Sequence, residues 1–194
     1  MAFNEGFNFR ATLAYVTDPS DTQFVDGLVT YPQTANGVTF GWGVANLQVR
    51  DRNAGVDARL AGHHRIDTTL VTQFQVDLPA AGDYILRWAM GDNSYPGGPM
   101  YYRLFDNTTV LYTSSGYSGA GVSTASSDRW IDATGVERTS AADWVSNNAS
   151  ATFTFATTTL LFEIAHASAN PQSTPIGHLQ IVLVEDTLMG QMVY

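Results

Sequence analysis

The sequence predicts an all-β protein, an antiparallel β-sandwich of the jelly-roll type. Three observations predict it. Short apolar–polar alternations recur along the chain, turn signals separate them about every eight to twelve residues, and no long stretch has helical periodicity. With 194 residues, 44% of them hydrophobic, the chain is long enough to bury a sizeable core in one sandwich.

Residues 7–16 alternate and read as the first strand, closed by the turn Asp18-Pro19-Ser20-Asp21. Residues 27–31 form a short strand that Pro32 stops, and Asn36-Gly37 signals a tight turn. Residues 38–44 follow as a strand in which Gly41 and Gly43 flank Trp42, the mark of a bulge or a close backbone approach. Residues 47–53 continue the pattern, 54–62 are small and polar, and His63-His64-Arg65 reads as a polar segment with surface or loop histidines.

Residues 73–79 alternate cleanly, Ala80-Ala81-Gly82-Asp83 makes a turn, and residues 84–90 form the central strand. Beyond it Gly91-Asp92-Asn93-Ser94-Tyr95 opens into a Pro/Gly loop. Residues 100–105 and 109–113 form a hairpin around Asp106-Asn107-Thr108. A Ser/Gly/Ala/Thr-rich loop covers 114–127, a short strand 129–133, and a helical turn 140–144. Strands at 151–156, 158–165 and 176–184 complete the sandwich, which gives one domain over residues 1–185. Residues 186–194 form a C-terminal arm whose Leu188, Met189, Met192, Val193 and Tyr194 suit docking against a partner.

Charge excludes several function classes. The net charge is −9, all nine basic residues are Arg, and charged residues are only 14% of the chain. An acidic chain without a basic patch is a poor binder of nucleic acid and of anionic membranes. No stretch reaches the roughly 20 apolar residues of a membrane span. The absence of Cys removes disulfides, a thiol nucleophile and thiolate zinc sites. The N-terminus lacks a basic region followed by an apolar run, so no signal peptide is expected and the chain is expected to be made in the cytoplasm.

Three pieces together carry a family resemblance: Phe7-Asn8-Phe9; Phe40-Gly41-Trp42 with Arg50-Asp51-Arg52; and residues 74–84 closed by Gly91-Asp92. This order resembles the malectin-like, galactose-binding-type jelly rolls that accompany bacterial polysaccharide lyases and esterases. The resemblance covers roughly residues 7–113, with a last strand at 176–184. It implies an antiparallel sandwich that often binds carbohydrate through loops at one end. Some members hold a structural calcium ion, and no other cofactor is expected. A stand-alone form opening at Met1-Ala2-Phe3 also resembles structural proteins of tailed phages.

Sugar rings stack on aromatic faces while Asp, Asn and Arg take their hydroxyls. Trp42, Asp92, Asn93, Tyr95 and Tyr101 fit that recipe and are the candidate carbohydrate-binding residues. The oxygens of Asp92 and Asn93 are also the candidate calcium donors. Gly91-Asp92-Asn93-Ser94 is only superficially a hydrolase block, since no partner histidine is marked out, and no catalytic residue is assigned. Arg50-Asp51-Arg52 reads as arginines tying loops together.

The leading expectation is a non-enzymatic protein of a phage virion surface, a capsid decoration or fibre. It would be homo-oligomeric, contact capsid or other virion proteins through the arm, and possess affinity for surface glycans. The alternative is a carbohydrate-binding module accessory to a polysaccharide-degrading enzyme system.

Overall fold

The computed structural model describes residues 3–10, 23–25, 29–43, 47–51, 62–66, 71–92, 99–115, 124, 129–139, 149–165 and 174–185. Its strands, in chain order, are β1 (Asn4–Phe9), β2 (Gln23–Val25), β3 (Gln33–Ala35), β4 (Val38–Trp42), β5 (Gln48–Asp51), β6 (Gly62–Ile66), β7 (Val71–Asp77) and β8 (Gly82–Ala89). There follow β9 (Tyr101–Asp106), β10 (Thr109–Thr113), β11 (Trp130–Ile131), β12 (Glu137–Arg138), β13 (Ala151–Phe155), β14 (Thr159–Ala165), β15 (Thr174–Ile176) and β16 (His178–Leu183).

Two sheets face each other. One has the order β13-β8-β16-β1-β2, the other β10-β9-β14-β7-β4-β3. A three-stranded sheet β15-β6-β5 and the ribbon β11-β12 complete the described strands. The pairing is antiparallel except for the short parallel β1–β2 pair and an isolated Thr30–Trp42 bridge. This is the antiparallel jelly-roll sandwich expected from the sequence, with β8 inside the five-stranded sheet between β13 and β16.

Period-two burial builds the core. Phe7 and Phe9 of β1, Tyr84, Leu86 and Trp88 of β8, and Leu179 and Ile181 of β16 point inward from one sheet. Phe40 and Trp42, Phe74 and Val76, Tyr102 and Leu104, and Leu160, Phe162 and Ile164 answer from the other. The two sets interdigitate. Phe74 touches Phe7 and Phe9 at ring separations of 5.3 and 5.0 Å, and Trp88 meets Phe162 at 5.2 Å.

The turns follow their chemistry. Asn36 (φ 49°) and Gly37 (φ 83°) both take positive φ and join β3 to β4. Gly41 (φ 148°) has another task. A Cβ there would lie 2.5 Å from the Tyr31 nitrogen, because the Val29–Tyr31 backbone is hydrogen-bonded alongside Trp42 at that point. Gly41→Ala is therefore expected to cost about 1–3 kcal/mol, read as a lower urea midpoint at unchanged slope.

Some expectations need correction. β1 begins at Asn4 rather than Phe7, and its partner β16 holds that start in register through Asn4–Val182 and Glu5–Ile181. His63 and His64 are not surface or loop residues; they lie on β6 and are fully buried. The turn at 18–21, the helical turn at 140–144 and the arm at 186–194 lie outside the described residues. Among the described residues no helix is long and apolar enough to cross a membrane.

Candidate functional site

The outer face of the six-stranded sheet carries a polar surface fixed by hydrogen bonds. Alternation sends Phe74, Val76, Tyr102, Leu104, Phe162 and Ile164 into the core, so the intervening residues face away from it. Antiparallel partners share a face, and the register therefore sorts the outward residues into rows. Tyr101, Ala165 and Val71 form one row, Arg103, Glu163 and Gln73 the next, and Phe105, Leu161 and Gln75 a third. Thr159 and Asp77 follow on the same face.

The middle row is fixed by hydrogen bonds. Arg103 donates from Nε to Glu163 Oε1 at 2.7 Å, and its Nη2 reaches the same oxygen at 2.6 Å. Gln73 donates from Nε2 to Glu163 Oε2 at 3.1 Å. Both carboxylate oxygens are thus engaged, which offsets the burial of a side chain only 4% exposed. Arg103 itself is 32% exposed, with its guanidinium carbon 5.1 Å from the Phe105 ring centroid. Adjacent strands lie about 4.8 Å apart, so the row from Arg103 to Gln73 spans roughly 10 Å.

The face continues toward β4. Gln75 donates to Asp77 Oδ1 at 3.0 Å, and the Tyr31 hydroxyl donates to Asp77 Oδ2 at 3.0 Å. Desolvation, then the hydrogen bond and charge of Asp77, raise the Tyr31 pKa above its ordinary value and keep the phenol a donor. The segment bearing Tyr31 is hydrogen-bonded alongside Trp42 of β4, and the Tyr31 hydroxyl reaches Asp77, so it borders the face on this side. On the other side the row of Tyr101, Ala165 and Val71 is apolar, with Val71 50% exposed.

The face therefore joins an apolar row to a polar one whose members are held before any ligand arrives. The second amide atoms of Gln73 and Gln75 are carbonyl acceptors, and the Arg103 guanidinium is a planar donor. Such a surface can bind a polyhydroxylated ring by its apolar face and its hydroxyls together.

The candidates taken from the sequence fall in different places. Tyr101 stands on this face at the head of β9. Trp42 does not: it closes β4 on the inner face with no exposed surface, and its Nε1 donates to His64 Nδ1 at 3.0 Å. A fully buried indole offers no face to a sugar, so core packing replaces the stacking role expected for it. Asp92 follows β8 in the other sheet and is 5% exposed, its Oδ2 lying 3.5 Å from His63 Nε2. Calcium prefers a shell of six to eight oxygens, and among the described residues no three metal-ligating side chains come together. Asn93, Tyr95, Leu188, Met189, Met192, Val193 and Tyr194 lie outside the described residues.

Around Trp42 and Asp92 the strand ends hold a buried polar layer. His178 Nδ1 and Asn8 Oδ1 are 3.0 Å apart, and Arg10 Nη2 donates to the same oxygen at 3.3 Å. Asn8, Arg10, His63, His64 and His178 are all buried, so this layer ties β1, β6 and β16 together.

Arg103, Glu163, Gln73 and Gln75 were absent from the candidates. A signal for them exists in the alternations Gln73-x-Gln75-x-Asp77 and Tyr101-x-Arg103-x-Phe105, and in a lone Glu163 between Phe162 and Ile164.

No protein-family model matches the sequence, and no curated protein matches it. Solved structures do match in fold. The Bacillus subtilis protein YXIM shares 16% identity at a TM-score of 0.52, over 95% of this chain and 41% of that one. A plant complex of the peptide RALF23 with FER and LLG2 shares 8% identity at a TM-score of 0.50, over 99% of this chain and 43% of that one. The chain thus spans about two fifths of the length of both, and the likeness is one of fold. A family 35 carbohydrate-binding module from Clostridium thermocellum aligns at a TM-score of 0.38 with 15% identity, over 76% of this chain and 92% of the module. The expectation of a virion role gains no support from these matches.

Proposed function

We propose that the chain is a non-catalytic carbohydrate-binding module, accessory to a polysaccharide-degrading system, that lays a glycan across the outer face of its six-stranded sheet. The observation that carries this reading is the fixed row Arg103–Glu163–Gln73 beside the apolar row of Tyr101 and Val71. Glu163 positions its neighbours rather than touching sugar, while Arg103, Gln73 and Gln75 supply the polar contacts and Tyr101 the stacking face. The jelly-roll fold and the resemblance of residues 7–113 to malectin-like modules support the same reading.

Glycan arrays and calorimetry test it. Arg103→Ala and Gln73→Ala are each expected to weaken binding at least about tenfold, the scale of one or two lost polar contacts. Each change also removes a partner of the buried Glu163 carboxylate and should lower the urea midpoint, so binding is compared where circular dichroism shows each variant folded. Arrays blank for every polysaccharide, or unchanged affinity in the Arg103→Ala/Gln73→Ala double variant, would remove the proposal.

A further inference from the structure

Tyr31 stands on the β4 side of the outer face of the six-stranded sheet. Its segment bonds to Trp42 through the Tyr31 N–H and the Val29 carbonyl, while the facing edge of β4 pairs with β7. β4 therefore lies between Tyr31 and β7. Gly41, between the inward Phe40 and Trp42, holds an outward position opposite Gln75. The Tyr31 backbone takes the place that a Cβ on Gly41 would fill. From there the side chain reaches over β4, and its hydroxyl donates to Asp77 Oδ2 at 3.0 Å. Gln75 donates to the other oxygen of that carboxylate and steadies it. The phenol ring is thus tethered at both ends above the outer face, and the residue remains part-exposed.

Two tyrosines therefore mark the ends of one strip. Tyr101 stands in the row of Ala165 and Val71, and Tyr31 closes on Asp77. Val71 and Asp77 are the two ends of β7, and at about 3.3 Å per residue they stand about 20 Å apart, the length of about four pyranose units in an extended glycan. Gln73 and Gln75 face outward between them, each with an amide carbonyl as acceptor. The strip does not suit an anion. The Arg103 cation is already held by Glu163, Asp77 adds a carboxylate, and the chain carries a net charge of −9.

On the glycan reading of this face, on which the assignment rests, we propose that Tyr31 is a second stacking residue. The ligand is a neutral, extended glycan of about four units, laid along the strands from Tyr101 to Tyr31. A ring fixed beforehand loses little freedom when a sugar stacks on it, so the tether to Asp77 strengthens binding.

The test is calorimetry on the full chain with manno-, xylo-, cello- and β-linked galacto-oligosaccharides, from disaccharide to hexasaccharide. Affinity for the series that binds should rise at least about tenfold from disaccharide to tetrasaccharide and then level off. Tyr31→Ala should weaken the tetrasaccharide at least about fivefold and change the disaccharide less than about twofold. Tyr31→Phe keeps the ring and should keep most of the gain with length, whereas a merely structural role would weaken both lengths alike. In the unaltered chain, amide-resolved NMR should show shifts at Thr39 and Asp77 with the tetrasaccharide but not with the disaccharide, a readout that does not depend on a variant folding. Polyuronates and sulfated glycans should bind at least about tenfold more weakly than the neutral series. Full tetrasaccharide affinity in Tyr31→Ala, equal losses at both lengths, or a preference for polyanions would overturn the proposal. If binding then still needed Arg103 and Gln73, the platform itself would stand. A chain blank to every glycan would remove both.

Discussion

Trp42→Ala is expected to destabilise the chain by about 3–5 kcal/mol from the cavity alone. Trp42 is fully buried, with ring contacts to Phe9 at 5.6 Å and Phe74 at 5.2 Å. Its hydrogen bond to His64 adds to the loss, since His64 Nδ1 would be left without its donor at a further cost of about 1 kcal/mol or more. Domains of this kind are stable by only about 5–15 kcal/mol in all. Urea unfolding measures the effect directly, and a loss below about 1 kcal/mol would show that the indole is not in the core. Trp42→Phe should be milder, because most of the ring volume remains. The contrast with Arg103→Ala separates the two roles: Trp42→Ala should lose binding only as the chain unfolds, whereas Arg103→Ala should lose binding while the chain is still folded.

That contrast shows what was legible in the sequence. Period-two alternation is a local signal, so residues 73–77 and 84–89 announce strands and their inward side directly. Partners across a sheet are not local. Gln73, Arg103 and Glu163 come from three strands far apart in the chain, and only the β9–β14–β7 register makes them one row. Trp42 is misleading for a related reason. Its flanking glycines suggest an exposed aromatic, yet Gly41 is required by the close approach of the Thr30–Tyr31 backbone.

His63-His64 looks polar until the fold supplies Asp92 and Trp42 as buried neighbours. The start of β1 is hidden because Glu5 sits at an inward position where alternation predicts an apolar residue. The virion expectation leans on the arm at 186–194, which lies outside the described residues. The apolar–polar platform was legible only at Tyr101, whose aromatic character is visible without a partner.

Acid should unfold the chain through His64. Trp42 donates to Nδ1, so the neutral ring carries its proton on Nε2. Burial holds its pKa down to about 3; the Arg10 carbonyl opposes the shift, and the neighbouring His63 adds to it. In the unfolded chain the pKa returns to about 6.5. Above that value His64 is neutral in both states, and its full contribution to stability is present. Below it the unfolded chain takes up a proton that the folded chain refuses until about pH 3, so stability falls as pH falls. The slope is about 1.4 kcal/mol per pH unit, which amounts to about 3 kcal/mol between pH 6.5 and 4.

Urea titrations at several pH values test this against His64→Gln, whose amide oxygen can still accept from Trp42 but does not titrate. The variant curve should be flatter by that amount, and parallel curves would sink the assignment. The two large effects meet in one bond. A proton on Nδ1 removes the acceptor that Trp42 needs, so acid and Trp42→Phe break the same contact from opposite sides. Their costs should therefore be less than additive when combined.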